Sequence, residues 1–117
     1  MPVELTRVDE FALITLNRPE ALNALSFQIV REIGEAIEEA VGTNARALLF
    51  TGTGEKAFCA GADISELVGR SVTDIREGAR RGQNIFAKLD ELSIPSISVI
   101  NGFALGGGLE LALACTF

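Results

Sequence analysis

An α/β fold is predicted for this chain of 117 residues, on three observations. Apolar runs of five or six residues alternate with longer stretches in which apolar residues recur every three or four positions, the periods of buried strand and amphipathic helix. The resulting order, strand–strand–helix, strand–helix–helix, strand–helix, puts helices between successive strands and so requires parallel crossovers. Hydrophobic residues make up 48% of the chain, enough for a core, and the length suits one compact domain or a piece of a larger one.

Taken in order, Val3–Val8 alternates weakly and Phe11–Leu16 is a short apolar run; both read as strands, joined tightly through Asp9-Glu10. Asn17-Arg18-Pro19-Glu20 breaks the pattern, because a proline holds the preceding residue out of helix. Ser26 is then placed as an N-cap, and Phe27, Val30, Ile33, Ile37 and Val41 mark one helical face. Gly42 is expected to close that helix as a C-terminal glycine. Ala47–Thr51 reads as a buried strand, followed by the loop Gly52-Thr53-Gly54-Glu55-Lys56. The segment Phe58–Ala62 is short and rich in small residues, and Asp63 is expected to cap a brief helix through Leu67.

A longer helix is expected from Val72 to Leu92, its inner face made by Ile75, Ala79, Ile85, Phe86, Leu89 and Leu92. Ser96–Ile100 reads as a third buried strand. Gly106–Gly108 opens a last helix, expected to be still running at Phe117, which therefore reads as a truncation point.

The composition narrows the function. A net charge of −6 disfavours a groove for nucleic acid. Arg76, Arg80 and Arg81 form the one basic cluster and fit a solvated helix face. A phosphorylated small molecule remains possible, since backbone N–H groups at helix starts bind phosphate without net positive charge. With no histidine in the chain, a Ser-His-Asp triad, a Cys-His pair and any His-containing zinc site fall away. Cys59 and Cys115 have no metal-ligand spacing, so no metal is expected. Two reduced thiols and a start without a secretory pattern imply a cytoplasmic protein.

The run Ile94–Phe117 is apolar and holds a G-x-x-x-G in Gly102 and Gly106. Pro95, Asn101, three consecutive glycines and Glu110 make it a poor membrane span, since a mid-membrane carboxylate costs roughly 2.5 kcal/mol or more. A mean hydropathy of +0.32 instead implies surface that something else covers.

Three segments have the composition of a site. Gly52-Thr53-Gly54-Glu55-Lys56-Ala57 matches the dinucleotide fingerprint G-x-G-x-x-G/A after a strand, but Phe58-Cys59-Ala60-Gly61 intervenes where a helix would have to begin. It reads as a glycine-rich turn. In Lys56-Ala57-Phe58-Cys59-Ala60-Gly61-Ala62-Asp63-Ile64, small residues let a ligand touch the main chain, and an outward N–H at Ala62 could donate to a ligand oxygen.

In Asn101–Leu111, three glycines open an apolar helix and leave its first N–H groups unshielded, with the positive end of the helix dipole behind them. That is hardware for an oxyanion. Glu110, three residues after Gly107, lies on the same helix face and leans back toward the helix start, as a general acid or base would. Its neighbours Leu109, Leu111, Ala112 and Leu113 predict burial, where the alternative role of complementing the dipole would be costly.

The last two segments, with Asn17-Arg18-Pro19-Glu20-Ala21-Leu22-Asn23-Ala24-Leu25 upstream, closely resemble the crotonase (enoyl-CoA hydratase/isomerase) family, in order and across essentially the whole chain. The resemblance implies a spiral of strand–strand–helix turns, of which this chain is the N-terminal portion of a single domain, and a coenzyme A thioester as ligand. Coenzyme A is then part of the substrate, and no separate cofactor is implied. In the family two backbone N–H groups hold the thioester carbonyl; they fall on Ala62 and Gly107.

The Ala60 carbonyl resembles the position that contacts adenine, and Ala21 and Leu22 lie where pantetheine and nucleotide pass. Gly61, Asp63, Ile64 and Gly106 complete the implied substrate-binding set. Glu110 matches one of two glutamates with which hydratases handle water; the second belongs to a region beyond Phe117, as do contacts that make trimers or hexamers. The implied activity is hydration of a trans-2-enoyl-CoA. The alternatives are an isomerase or another acyl-CoA activity of the family (dehydratase, dehalogenase, thioester hydrolase), or a module that binds coenzyme A without turnover.

Overall fold

The computed structural model describes residues 2–117, and its chain makes three successive strand–strand–helix turns. The first comprises β1 (Val3–Val8), β2 (Phe11–Leu16) and α1 (Phe27–Val41). The second comprises β3 (Ala47–Gly52), β4 (Ala57–Cys59) and α2 (Val72–Ala87), and the third β5 (Ser96–Ser98), β6 (Phe103–Ala104) and α3 (Gly107–Ala114). The four-stranded sheet runs β1-β2-β3-β5, and β4 pairs with β6 in a second, smaller sheet.

The hairpin β1–β2 is antiparallel, with Val3 opposite Leu16 and Val8 opposite Phe11. It turns through Asp9, whose φ of 52° is one that aspartate tolerates better than most residues. From β2 onward the pairing is parallel: Phe11 faces Ala47, and Leu48 faces Ser96. A helix must cross over between such strands, and α1 does so with an apolar stripe. Ile29, Ile33, Ala36, Ile37 and Ala40 are buried and α1 packs on β1, β2 and α2. Ile14, Leu16, Leu48 and Phe50 meet that stripe from the large sheet, and Phe58 joins the same core from β4. Ser26 caps α1 as its sequence predicts, its hydroxyl accepting from the Ile29 N–H at 3.1 Å.

Several expected boundaries shift, each for a local reason. The strand β4 begins at Ala57 and takes in only Phe58 and Cys59 of the region Phe58–Ala62, and β6 was not foreseen; two- and three-residue strands are too short to show a period. Gly42 does follow α1, yet with a φ of −71° rather than a left-handed one. The helix closes by tightening, Gly42 N–H reaching Glu38 and Glu39 carbonyls while the Thr43 hydroxyl donates to Ala40 O at 2.7 Å. The helix α2 stops at Ala87, and Lys88–Glu91 continues as a 3-10 turn before the chain extends at Leu92. Of its expected inner face, Ile85 and Leu89 are buried, Ile75 and Phe86 are half-buried, and Ala79 is exposed.

The third strand is confined to Ser96–Ser98. The last helix is not still running at Phe117: it ends at Ala114, with Cys115 extended beyond it. Phe117 N–H then donates to Ser96 O, and Ser98 N–H to Phe117 O. Among the described residues no helix is long and apolar enough to cross a membrane.

Candidate active site

The glycine-rich segments meet because β4 and β6 pair in parallel, Cys59 beside Ala104, which carries the chain following each strand to the same edge. Leu105 N–H donates to Cys59 O at 3.1 Å. Just beyond, Gly61 (φ 112°) and Gly106 (φ 52°) both adopt left-handed backbone and approach closely: a Cβ on Gly61 would lie 3.1 Å from Leu105 O. Only glycine takes those angles without strain and leaves room for the other strand. Gly108 is fixed by packing, since a Cβ there would overlap the Cys59 carbonyl; α3 therefore sits flush on β4.

Two N–H groups are left open at this junction. Residues 22–25 run beside residues 60–63, with Ala60 N–H on Leu22 O, Leu25 N–H on Gly61 O and Asp63 N–H on Leu25 O. This parallel bridge of Leu25 with Ala62 uses the groups flanking Ala62, so the Ala62 N–H points away from its partner strand. At the start of α3, Gly108 and Leu109 N–H turn to Leu105 O and Glu110 N–H to Gly106 O. Among the described residues, neither the Ala62 N–H nor the Gly107 N–H has an acceptor. The Ala60 carbonyl likewise has no donor among them.

Ala62, Gly107 and Glu110 line one pocket of about 310 Å³. Its other walls come from Leu25, Phe27 and Val30 at the start of α1, from Leu67, and from Ile75, Ala79 and Phe86 on α2. This explains why the stripe on α2 is only half-buried: it faces the pocket rather than the core. Gln83 and Ser26 are the polar side chains that accompany Glu110 there. Glu110 is exposed, contrary to the burial its neighbours predict. The short α3 turns Leu111 and Ala112 to the core and leaves Leu109, Glu110 and Leu113 outside it.

The remaining residues singled out in the sequence lie around this pocket rather than in it. Leu22 lines a separate cleft of about 320 Å³ with Pro19, Asn23 and the loop Thr53–Ala57, and Ala21 is half-buried beside it in sequence. Ala60, Gly61 and Gly106 supply backbone at the junction. The Asp63 carboxylate is engaged, taking the Arg18 guanidinium at 2.9 Å and the Ser65 hydroxyl at 2.6 Å. Those two contacts hold its pKa below the usual carboxylate value, the Ser65 bond contributing most. Ile64 is 74% exposed and meets none of these walls. Of the stretch Gly52–Ala57, Gly52 ends β3, Thr53–Lys56 bends, and Ala57 begins β4, so a strand rather than a helix follows the bend.

Sequence reasoning missed the side chains that hold the frame. Asn23 is 1% exposed; its Oδ1 accepts from Arg18 N–H, and its Nδ2 donates to Thr53 O and Ala57 O, each at 3.0 Å. Asn101 mirrors it from the third turn, accepting from Gly52 N–H and donating to Gly54 O and Ala57 O. The only signal was an asparagine beside apolar residues at each position, where an amide must find partners if buried. Leu22 and Asn23 both take positive φ, 54° and 56°. For a leucine this costs about 1–2 kcal/mol, and it turns Leu22 O toward the Ala60 N–H.

Neither thiol competes for the role of nucleophile. Burial raises the Cys59 pKa, which the Gly61 amide partly offsets, and pushes Cys115 up to about 11. Both stay protonated near neutrality.

Comparison with known proteins agrees with this fold. The family model described as enoyl-CoA hydratase/isomerase matches residues 7–117. A short-chain-enoyl-CoA hydratase of Clostridium acetobutylicum is 41% identical over 97% of this chain and 44% of its own length. A crotonyl-CoA hydratase of Syntrophomonas wolfei is 40% identical over 97% of this chain and 44% of its own. The crystal structure of an enoyl-CoA hydratase from Bacillus anthracis superposes with a TM-score of 0.94 at 35% identity, covering 100% of this chain and 46% of that one. The chain thus spans less than half the length of the relatives it matches.

Proposed function

Because the chain belongs to the enoyl-CoA hydratase/isomerase family, we propose that this pocket is part of the site where a trans-2-enoyl-CoA thioester takes up water. The observation that carries the reading is the pair of open N–H groups, Ala62 and Gly107, on a largely apolar pocket that also holds Glu110. The thioester oxygen accepts from both. Addition of water at C3 builds negative charge on that oxygen as an enolate forms, and each fixed donor is worth about 3 kcal/mol in such a state. The dipole of α3 adds to the stabilisation at Gly107.

Glu110 handles a proton of the attacking water, while the apolar walls from α1 and α2 take the acyl chain. The free Ala60 carbonyl offers an acceptor to the adenine amino group, with Ala21, Leu22, Gly61 and Gly106 beside the path of the cofactor moiety. Asp63 acts through its fold, anchoring the Ala62 turn to Arg18, and Ile64 contacts the nucleotide from its exposed position. Among the described residues one carboxylate, Glu110, lines the pocket, and the second proton transfer falls to a group from the further part of the fold that the longer relatives possess. Val99, Ile100, Phe103, Leu105, Leu113 and Phe117 are exposed large apolar side chains, which supports association into the trimer or hexamer implied by the resemblance.

The test is hydration of crotonoyl-CoA, followed as loss of the enoyl-thioester absorbance in the protein carrying this chain, with Glu110→Gln alongside. A 10²- to 10⁴-fold fall in kcat, about the worth of a positioned acid or base, is expected. Unchanged turnover in the variant removes Glu110 from the chemistry and favours an activity in which the acid or base sits elsewhere.

A further inference from the structure

We infer that Phe27 is the partition that closes the apolar pocket on its α1 side and limits the length of acyl chain it accepts; this rests on the acyl-CoA reading above. Phe27 and Gly78 are shared by two cavities. One is the apolar pocket of Ala62, Gly107 and Glu110; the other is a cleft of about 410 Å³ lined by Arg31, Glu66, Arg70, Asp74, Glu77 and Arg81. Phe27, at the first turn of α1, borders both.

Three contacts hold it there. Its backbone N–H donates to Glu66 Oε1 at 2.7 Å. The Arg70 guanidinium lies over the ring at 4.7 Å from its centroid, a cation–π distance. The third contact is Gly78 itself: a Cβ there would overlap ring carbons Cε1, Cδ1 and Cζ, so the ring rests directly on the α2 backbone. A glycine in a helix interior is unfavourable against alanine, and here it makes the seat for the ring.

The consequence is chemical. Methylenes inside the apolar pocket are removed from water, each raising affinity about fourfold. Methylenes pushed past Phe27 enter a cleft of charged groups and gain nothing. Affinity should therefore climb with chain length and then level off, and the length at which it levels should depend on residue 27.

The experiment is calorimetric titration of saturated acyl-CoA thioesters from butanoyl to dodecanoyl, with coenzyme A alone as reference, against the wild type, Phe27→Ala and Phe27→Leu. In the wild type a rise followed by a plateau is expected. In Phe27→Ala the plateau should move to longer chains by two or more methylenes, and Phe27→Leu should fall between. Circular dichroism and urea midpoints establish that each variant is folded, and Phe27→Leu, the milder change, decides the matter if the alanine variant is not. A plateau that stays in place, or no plateau in the wild type, overturns the inference while leaving the acyl-CoA reading intact. No thioester binding at all overturns both.

Discussion

The first residue of α1 and the first residue of α3 occupy the same helical position and border the same pocket, yet they are built in opposite ways. At Phe27 the N–H is taken by the Glu66 carboxylate at 2.7 Å, Ser26 caps the turn, and a large ring covers the backbone. At Gly107 there is no side chain, the preceding Gly106 offers no capping atom, and the N–H has no acceptor among the described residues. A helix start is ordinarily satisfied because open donors cost stability. The satisfied start makes wall, and the open one makes a binding group.

The largest effect should come from disturbing the open start. Gly108→Ala would drive a Cβ into the Cys59 carbonyl and lift α3 off β4. A loss of about 3 kcal/mol is expected, at the upper end for overpacking because the opposing atom is backbone. Urea denaturation followed by circular dichroism measures it, and thioester binding should fall along with stability, since Gly107 moves with the helix. A stability change under about 0.5 kcal/mol would mean that α3 is free to slide and that the junction is not held by this contact.

The satisfied start gives smaller, graded losses. Glu66→Ala removes a charged acceptor from the Phe27 N–H and should cost about 1–2 kcal/mol. It should also loosen the ring, so that thioester affinity becomes less dependent on chain length. Ser26→Ala should cost about 1 kcal/mol and leave that dependence alone, because the hydroxyl serves Ile29 rather than Phe27. If the two variants behaved alike in binding, the Glu66 contact would be only a cap.

These two starts also mark what the sequence could and could not reveal. Ser26 and the Gly106–Gly108 run were legible because capping and unshielded backbone are local properties with residue signatures. Strands β1 and β2 were legible to the residue for the same reason, each having six residues of pattern. The partner of the Phe27 N–H was not legible, since Glu66 lies 39 residues away. Nor was the role of Ile75, Ala79 and Phe86: a helical apolar stripe looks the same whether it meets a core or a ligand pocket. Burial of Glu110 was expected from its apolar neighbours and is absent because a two-turn helix cannot turn every apolar residue to one side. Strands β4 and β6, which create the junction, were too short to announce themselves.

The smallest effect concerns the other open donor. Ala62 has no helix behind it; its place depends on the bridge to Leu25 and on Asp63, which ties the turn to Arg18 and Ser65. Because those contacts lower the Asp63 pKa in the folded chain, the unfolded chain binds its proton first as acid is added. The contribution is therefore complete above the unfolded value of about 3.9 and disappears as pH falls through the lower folded value. Urea midpoints measured between pH 2 and pH 6 should decline more steeply at the acid end in the wild type than in Asp63→Asn, which has no such proton to bind. Near pH 6 the variant should be slightly less stable, and the two curves should converge toward pH 2. Parallel curves would show that the Arg18 and Ser65 contacts do not outlast solvent competition, and that the Ala62 N–H is held by the Leu25 bridge alone.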